Sequence, residues 1–352
     1  MELIQITAPL LAWYDQNARV LAWRDDPSPY RVWLSEIMLQ QTRVEAAKPY
    51  YDRFLQTLPT IQALAEAEED TILKLWEGLG YYNRVRNMQK AARIVMEEYG
   101  GVLPKDYDAL LKLPGIGVYS AGAIASIAYN QPVPAVDGNV LRVISRIKAS
   151  YENISNPAVI KAMSAEIKEI LPKRVGAFNQ ALMELGAVVC LPNGQPKCDI
   201  CPVGHLCKGY QKGIMMELPI KDKKQQRKKE EKTVLLLVSG NEMALRKRAD
   251  KGLLAKMWEY PWLEGKLSAA ECREALEKNG ILTEKMISAG SAKHVFTHIE
   301  WHMKGYLITV KEKSDCYQWF DRKQAEQQCA IPSAFSAFGK ALETFFKMKQ
   351  EK

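Results

Sequence analysis

Leu113-Pro114-Gly115-Ile116-Gly117 opens the stretch on which the fold turns, and Asp137-Gly138-Asn139 closes it. Pro114 fixes the entry to a turn, and two glycines around one apolar residue strip that turn of side chains. The run from Val118 to Tyr129 is apolar or small on nearly every side, the pattern of a helix enclosed by others. Such a turn leaves free backbone N–H groups at the next helix start, where they can hold a phosphate. The same glycines also suit a plain helix end. Asp137 follows 22 residues after Gly115, where a nucleotide anchored at the turn can meet a carboxylate.

Outward from this stretch, residues 1–215 read as almost entirely helical. Apolar periodicity predicts helices over 4–14, 32–47, 84–99 and 158–170, with Pro and Gly in the connections. Asp137 is placed to cap a helix over 138–149, and a carboxylate at a helix N-terminus ionises easily. Glu36 lies in Trp33-Leu34-Ser35-Glu36-Ile37-Met38, among mostly apolar neighbours. A lone helical glutamate is ordinarily solvated; burial here would raise its pKa and keep a proton available near neutral pH. A protonated Glu beside an ionised Asp is the division of labour that cleaves glycosidic bonds, and an N-glycosidic bond to a base poses the same problem.

Cys190, Cys198, Cys201 and Cys207 fall within 18 residues, spaced by seven, two and five. Four thiolates in one short loop can close a tetrahedral zinc site or hold a [4Fe–4S] cluster. Lys197, Lys208 and Lys212 surround the loop and can face phosphates. Cys272, Cys316 and Cys329 are scattered and read as core or surface residues. The N-terminal Met1-Glu2-Leu3-Ile4 has no basic leader, and no apolar run approaches the roughly 20 residues of a membrane span. An intracellular, cytoplasmic location is expected, and with it metal ligands rather than disulfides. The net charge of +8 favours a polyanionic partner. Hairpin, carboxylates and cysteines together point to an enzyme acting on DNA.

The composition shifts at Lys221-Asp222-Lys223-Lys224-Gln225-Gln226-Arg227-Lys228-Lys229-Glu230-Glu231-Lys232, which reads as a linker. Three parts are expected: a helical domain over 1–215, a linker over 216–232 and a smaller α+β domain over 233–352. In the last, 233–238 is strand-like with a turn at Ser239-Gly240-Asn241, 267–279 is helical, and 294–310 reads as a strand pair.

With these motifs in place, the chain resembles the adenine DNA glycosylases of the MutY type, within the endonuclease III superfamily. The resemblance spans nearly the whole chain. It rests on Pro29-Tyr30-Arg31-Val32-Trp33-Leu34-Ser35-Glu36-Ile37-Met38-Leu39-Gln40-Gln41-Thr42, on Gly78-Leu79-Gly80-Tyr81-Tyr82, on 113–117, on 136–139 and on the cysteine loop. It implies a mainly α, helix-hairpin-helix glycosylase fold with an iron–sulfur loop, followed by a C-terminal α+β Nudix-like domain. The implied reaction removes adenine mispaired with 8-oxoguanine or guanine in duplex DNA, with the nucleotide flipped into a pocket and the protein acting as a monomer. Glu36 would protonate adenine N7, and Asp137 would stabilise the oxocarbenium ion. Tyr119 and Asn139 would support them. Cys190, Cys198, Cys201 and Cys207 would hold a [4Fe–4S] cluster.

The resemblance further implies that Gln180 hydrogen-bonds adenine, that Trp23, Arg24 and Val44 line its pocket, and that Gly115 and Gly117 meet the backbone. Leu39, Gln41 and Tyr81 would wedge the duplex, with Thr42 on the opposite strand. Without the motif match the plain reading is preferred for all four: Trp23, Leu39 and Tyr81 as packing and Gln41 as a solvated helix residue. Bifunctional relatives carry a lysine two residues after the second hairpin glycine, and here that residue is Tyr119, which cannot form a Schiff base. A monofunctional enzyme is therefore expected, rather than an oxidised-pyrimidine glycosylase/lyase or an inactive DNA-binding relative. The cysteine spacing departs from the family in one respect: the first gap is seven residues where six is usual, and Asn193-Gly194 is the expected bulge. In the last domain, Phe296-Thr297-His298 matches a loop that recognises 8-oxoguanine. Residues 273–281 echo a Nudix box in which Lys278 replaces a metal-binding glutamate and Gly265 falls at another. Recognition without hydrolysis is the expectation.

Overall fold

The computed structural model describes residues 2–222 and 226–350. Contacts divide the chain into two compact units, residues 1–66 with 87–223 and residues 67–86 with 224–352. Among the described residues no helix is long and apolar enough to cross a membrane.

The first unit is helical. Leu10, Ile144, Phe178 and Leu182 lie in one apolar core assembled from helices distant in sequence. The helix Val118–Tyr129 runs through this unit with Ser120 to Ser126 buried. Its small residues permit close approach: a Cβ on Gly122 would sit 2.2 Å from the Pro134 carbonyl oxygen. The periodic run over 32–47 is two helices, Pro29–Leu39 and Val44–Thr57. Gln41 takes φ 58° between them, a left-handed conformation that ends the first helix.

The second unit is built on a seven-stranded sheet among the described residues. Its strands are β1 (Lys228–Ser239), β2 (Glu242–Lys247), β3 (Trp258–Glu259), β4 (Trp262–Glu264), β5 (Thr283–Val295), β6 (Ile299–Val310) and β7 (Gln318–Asp321). The order is β3-β2-β1-β6-β5, with β4 on β1 and β7 on β2. Within this sheet, among the described residues, only the β1–β6 pairing is parallel. Alternate residues of β1 feed two cores: Val234, Leu236 and Val238 join Trp301, Phe335 and Phe338, while Leu235 and Leu237 join Leu276 and Ile308.

Three expectations change. Strand β1 begins at Lys228, inside the stretch read as linker, and residues 223–225 of that stretch lie outside the described residues. The strand pair read over 294–310 starts at Thr283, because the edge strand β5 is mostly exposed and lacks the alternating apolar signal. Residues 67–86, read as part of the helical block, group with the C-terminal unit. Long-range polar contacts hold them there. Lys247 pairs with Asp70 at 2.8 Å and Lys256 with Glu69 at 2.6 Å. The Ile331 N–H donates to Glu77 at 2.7 Å.

Candidate active site

Pro29 starts the helix Pro29–Leu39 at a position where its missing N–H costs nothing. That helix buries Trp33, Leu34, Ile37 and Met38, and Glu36 is carried inward with them at 6% exposure. Burial pushes the Glu36 carboxyl up to about 7, and the Asp137 charge adds to this; the Tyr119 hydrogen bond and the Arg24 charge oppose it. Tyr119 O–H donates to Glu36 Oε2 and lies 3.6 Å from Met183 Sδ. Burial and the two carboxylates raise Tyr119 well above 10, so its proton stays in place as a donor.

Asp137 caps the helix Gly138–Lys148 as its position predicts. Its Oδ1 accepts from the Val140 N–H at 2.8 Å, and its Oδ2 accepts from Asn139 Nδ2 at 2.7 Å. The expectation of easy ionisation is corrected in one respect. Burial is the largest influence and raises the pKa above 3.8, while these donors and the Arg142 charge act downward. Arg142 was missed in the sequence. Its Nη2 donates to Asn139 Oδ1 and to the Gly186 carbonyl, each at 2.9 Å, and its Nε donates to the Cys190 carbonyl at 2.9 Å. Asn139 Oδ1 is thereby fixed as acceptor and Nδ2 is aimed at Asp137. Gly186 is missed as well: a Cβ there would stand 2.6 Å from Asn139 Cβ.

Glu36, Asp137, Tyr119 and Asn139 face one open cleft of about 1400 Å³. Trp23, Arg24, Val44 and Gln180 line it too, as do Leu39, Gln41, Thr42 and Gly117. Trp23 is also a packing residue, 7% exposed and edge-on to Tyr51 at 5.1 Å. Gln41 stands exposed in a left-handed turn rather than on a helix face. Neighbouring Gln40 Nε2 donates to Ser120 Oγ at 3.2 Å and ties this turn to the hairpin helix. Gly115 takes φ +78°, and a Cβ there would meet Asn87 Cβ at 2.7 Å. Gly117 precedes the helix without a side-chain cap, and Val118 is exposed, so the first N–H groups are open to an anion.

A second buried carboxylate, Glu184, lines the same cleft. Burial pushes it upward, yet hydrogen bonds from Arg19 and Arg24 outweigh that and hold it at about 2. The contacts are 2.6 Å from Arg19 Nε and 2.7 Å from Arg24 Nη2. Glu184 thus fixes Arg24 at the cleft wall.

The four loop cysteines border one small, apolar-lined cavity. No group of three or more His, Cys, Asp or Glu is arranged as a metal site among the described residues. The surroundings nevertheless suit thiolates. Arg146 Nη1 lies 3.3 Å from Cys190 Sγ. Backbone N–H groups of Val203, and of Gly209 and Tyr210, reach the Cys201 and Cys207 sulfurs. Burial pushes Cys201 up to about 12, and a bound cation would keep this set ionised. The seven-residue gap is accommodated at its exposed tip, where Gly194 takes φ +73° while the Lys197 N–H closes the base on Val189 O at 3.0 Å.

In the second unit, Phe296-Thr297-His298 forms the turn between β5 and β6, closed by Phe296 N–H on Ile299 O at 2.8 Å. Phe296 stacks edge-on to Trp301 at 4.8 Å, leaving Thr297 and His298 exposed. Tyr81 is not core packing: it is 48% exposed, unlike Tyr82, and its hydroxyl lies 3.1 Å from Thr297 Oγ1. In the helix Ala269–Lys278, Lys278 pairs with Glu274 at 2.7 Å.

A family profile described as HhH-GPD superfamily base excision DNA repair protein matches residues 34–169, and a NUDIX domain profile matches residues 233–341. The chain is 35% identical to an adenine DNA glycosylase of Buchnera aphidicola, covering 87% of this chain and 86% of that one. It is 36% identical to the adenine DNA glycosylase of Mus musculus, covering 86% and 70%. Among solved structures, a thermostable thymine-DNA glycosylase aligns with a TM-score of 0.53 at 28% identity, over 59% of this chain and 96% of that one.

Proposed function

The chain belongs to the adenine DNA glycosylase family of base excision repair enzymes, and from that premise we propose that it excises adenine paired with 8-oxoguanine or guanine, Glu36 serving as acid and Asp137 as counter-ion. The observation that carries this reading is two carboxylates facing one cleft in opposed environments. Glu36 is buried with a neutral donor, Tyr119, while Asp137 is capped by Val140 N–H and Asn139.

The flipped adenosine enters the cleft, and the Gln180 amide, which both donates and accepts, reads the base edge. Glu36, with a pKa of about 7, is substantially protonated at neutral pH and transfers its proton to adenine N7. The C1′–N9 bond electrons leave with the base, and the Asp137 carboxylate stabilises the sugar cation. Glu36, now anionic, takes a proton from the water that adds to C1′, leaving an abasic site. Tyr119 holds Glu36 in place and offers no amine for strand cleavage.

Cys190, Cys198, Cys201 and Cys207 would hold a [4Fe–4S] cluster. When bound it would supply iron–thiolate bonds that tie the loop to itself, while the hydrogen bonds from Arg142 to the Cys190 carbonyl and from Arg146 to its sulfur hold the loop against the helix Gly138–Lys148. The turn at Thr297 and His298 is read as the 8-oxoguanine sensor, and the Lys278–Glu274 pair supports a Nudix fold used for recognition rather than hydrolysis. The enzyme would act as a monomer, in the cytoplasm. The test is base release from a duplex holding one adenine opposite 8-oxoguanine, with and without alkali. Breaks that appear only after alkali support the reading; breaks without alkali, or none, contradict it.

A further inference from the structure

The chain between the helices Glu69–Leu75 and Asn83–Glu98 is unusually strained. Gly78, Gly80 and Tyr81 take φ of 99°, 69° and 49°, and an aromatic residue enters the left-handed region only when its surroundings hold it there. We propose that Arg84 is the positioning residue of this loop, gripping the backbone beneath Tyr81 so that the ring stands ready to enter a duplex. The inference rests on the reading of Tyr81 as a wedge.

The grip is many-sided. Arg84 Nη2 donates to the carbonyls of Leu79 and Gly80, both at 3.1 Å, and Trp76 Nε1 donates to the Gly80 carbonyl at 3.2 Å. The Arg84 N–H donates to the Tyr81 carbonyl at 2.8 Å. The guanidinium carbon lies 5.3 Å from the Trp76 ring centre and 5.6 Å from that of Tyr81. The backbone of 79–81 is therefore fixed while the Tyr81 ring stays outside. Burial lowers Arg84 only to about 10, so the group remains a cation at neutral pH. One planar fork serves two carbonyls and lies against two rings. A lysine ammonium keeps the charge and loses the plane, so Arg84→Lys separates geometry from electrostatics.

The experiment uses the full chain and a duplex with 2-aminopurine next to 8-oxoguanine, whose fluorescence rises when the step is unstacked. Amide hydrogen exchange of the free protein is measured beside it. Arg84→Lys is expected to lower the fluorescence rise and the preference for 8-oxoguanine over guanine by about tenfold each. Exchange over 78–82 should quicken by a similar factor, while the helix Asn83–Glu98 keeps its protection. The salt dependence of binding should stay as in wild type even in Arg84→Gln, which removes the charge, because no phosphate contact is lost. Arg84→Gln serves if Arg84→Lys does not fold.

Wild-type fluorescence and exchange in Arg84→Lys overturn the proposal. So does a salt slope reduced by about one in the charge-removing Arg84→Gln with unstacking intact, which marks a phosphate contact instead. Tyr81→Ala separates the two failures. A lost signal there with an intact one in Arg84→Lys removes the role of Arg84 alone. A full signal in Tyr81→Ala removes the wedge reading and the proposal together.

Discussion

Glu36 and Glu184 line the same cleft and are almost equally shut from water, at 6% and 1% exposure, yet they sit at opposite ends of the carboxylate range. Glu36 receives one hydrogen bond from a neutral phenol and is pushed up to about 7. Glu184 receives two guanidinium groups and is held at about 2. Burial alone therefore decides nothing about charge. The partner decides it: a neutral donor leaves a proton to give, and a pair of cations makes a permanent anion that anchors a wall. Asp137 is raised by burial and restrained by the donors of a helix N-terminus.

The largest effects are expected at the two carboxylates proposed to react. Asp137→Asn removes the counter-ion and should lower single-turnover adenine release by about 10⁴-fold, with duplex binding retained in a gel-shift titration. Glu36→Gln should cost about 10³-fold, because an amide cannot give the proton. Glu184→Gln attacks the other environment. It leaves Arg19 and Arg24 without their anion and should destabilise the fold by about 3–5 kcal/mol, read by denaturant melting at pH 7. The stabilisation that Glu184 provides is present above its unfolded pKa of 4.5 and is lost as pH falls toward 2.

Glu36 has the opposite sign. Its folded pKa lies above its unfolded value of 4.5, so the native state binds the extra proton and stability declines as pH rises from 4.5 through 7. Glu36→Gln should therefore stabilise the protein by about 1–3 kcal/mol at pH 8 and by much less at pH 4. A loss of stability at pH 8 would contradict the assignment. The smallest effect belongs to the second unit. Thr297→Ala with His298→Ala should reduce discrimination for 8-oxoguanine by about tenfold while leaving the chemical step nearly intact; unchanged discrimination would remove the recognition role.

What the sequence made legible is what is local in sequence. The hairpin glycines act within five residues, Asp137 and Asn139 are two apart, and the cysteines share one loop. Glu184 was invisible because its partners lie 165 and 160 residues away, and nothing in Met183-Glu184-Leu185 announces two arginines. Arg142 sits in the same motif as Asp137, one helical turn after Asn139, and that spacing could have found it. The break at Gln41 was hidden because apolar periodicity continues on both sides of a single left-handed residue. The grouping of 67–86 with the C-terminal unit depends on ion pairs such as Lys247–Asp70, which no local pattern encodes.

If a proton held on Glu36 releases the base, the pH profile of single-turnover adenine release must carry the titration of that group. The rate should fall with a one-proton slope above a midpoint near 7, the folded pKa of Glu36, and should fall again at acid pH where Asp137 takes up a proton. The same measurement on Glu36→Gln should give a low rate without that midpoint. A wild-type rate that stays flat from pH 5 to about 9, or that rises through this range, would contradict this role of Glu36.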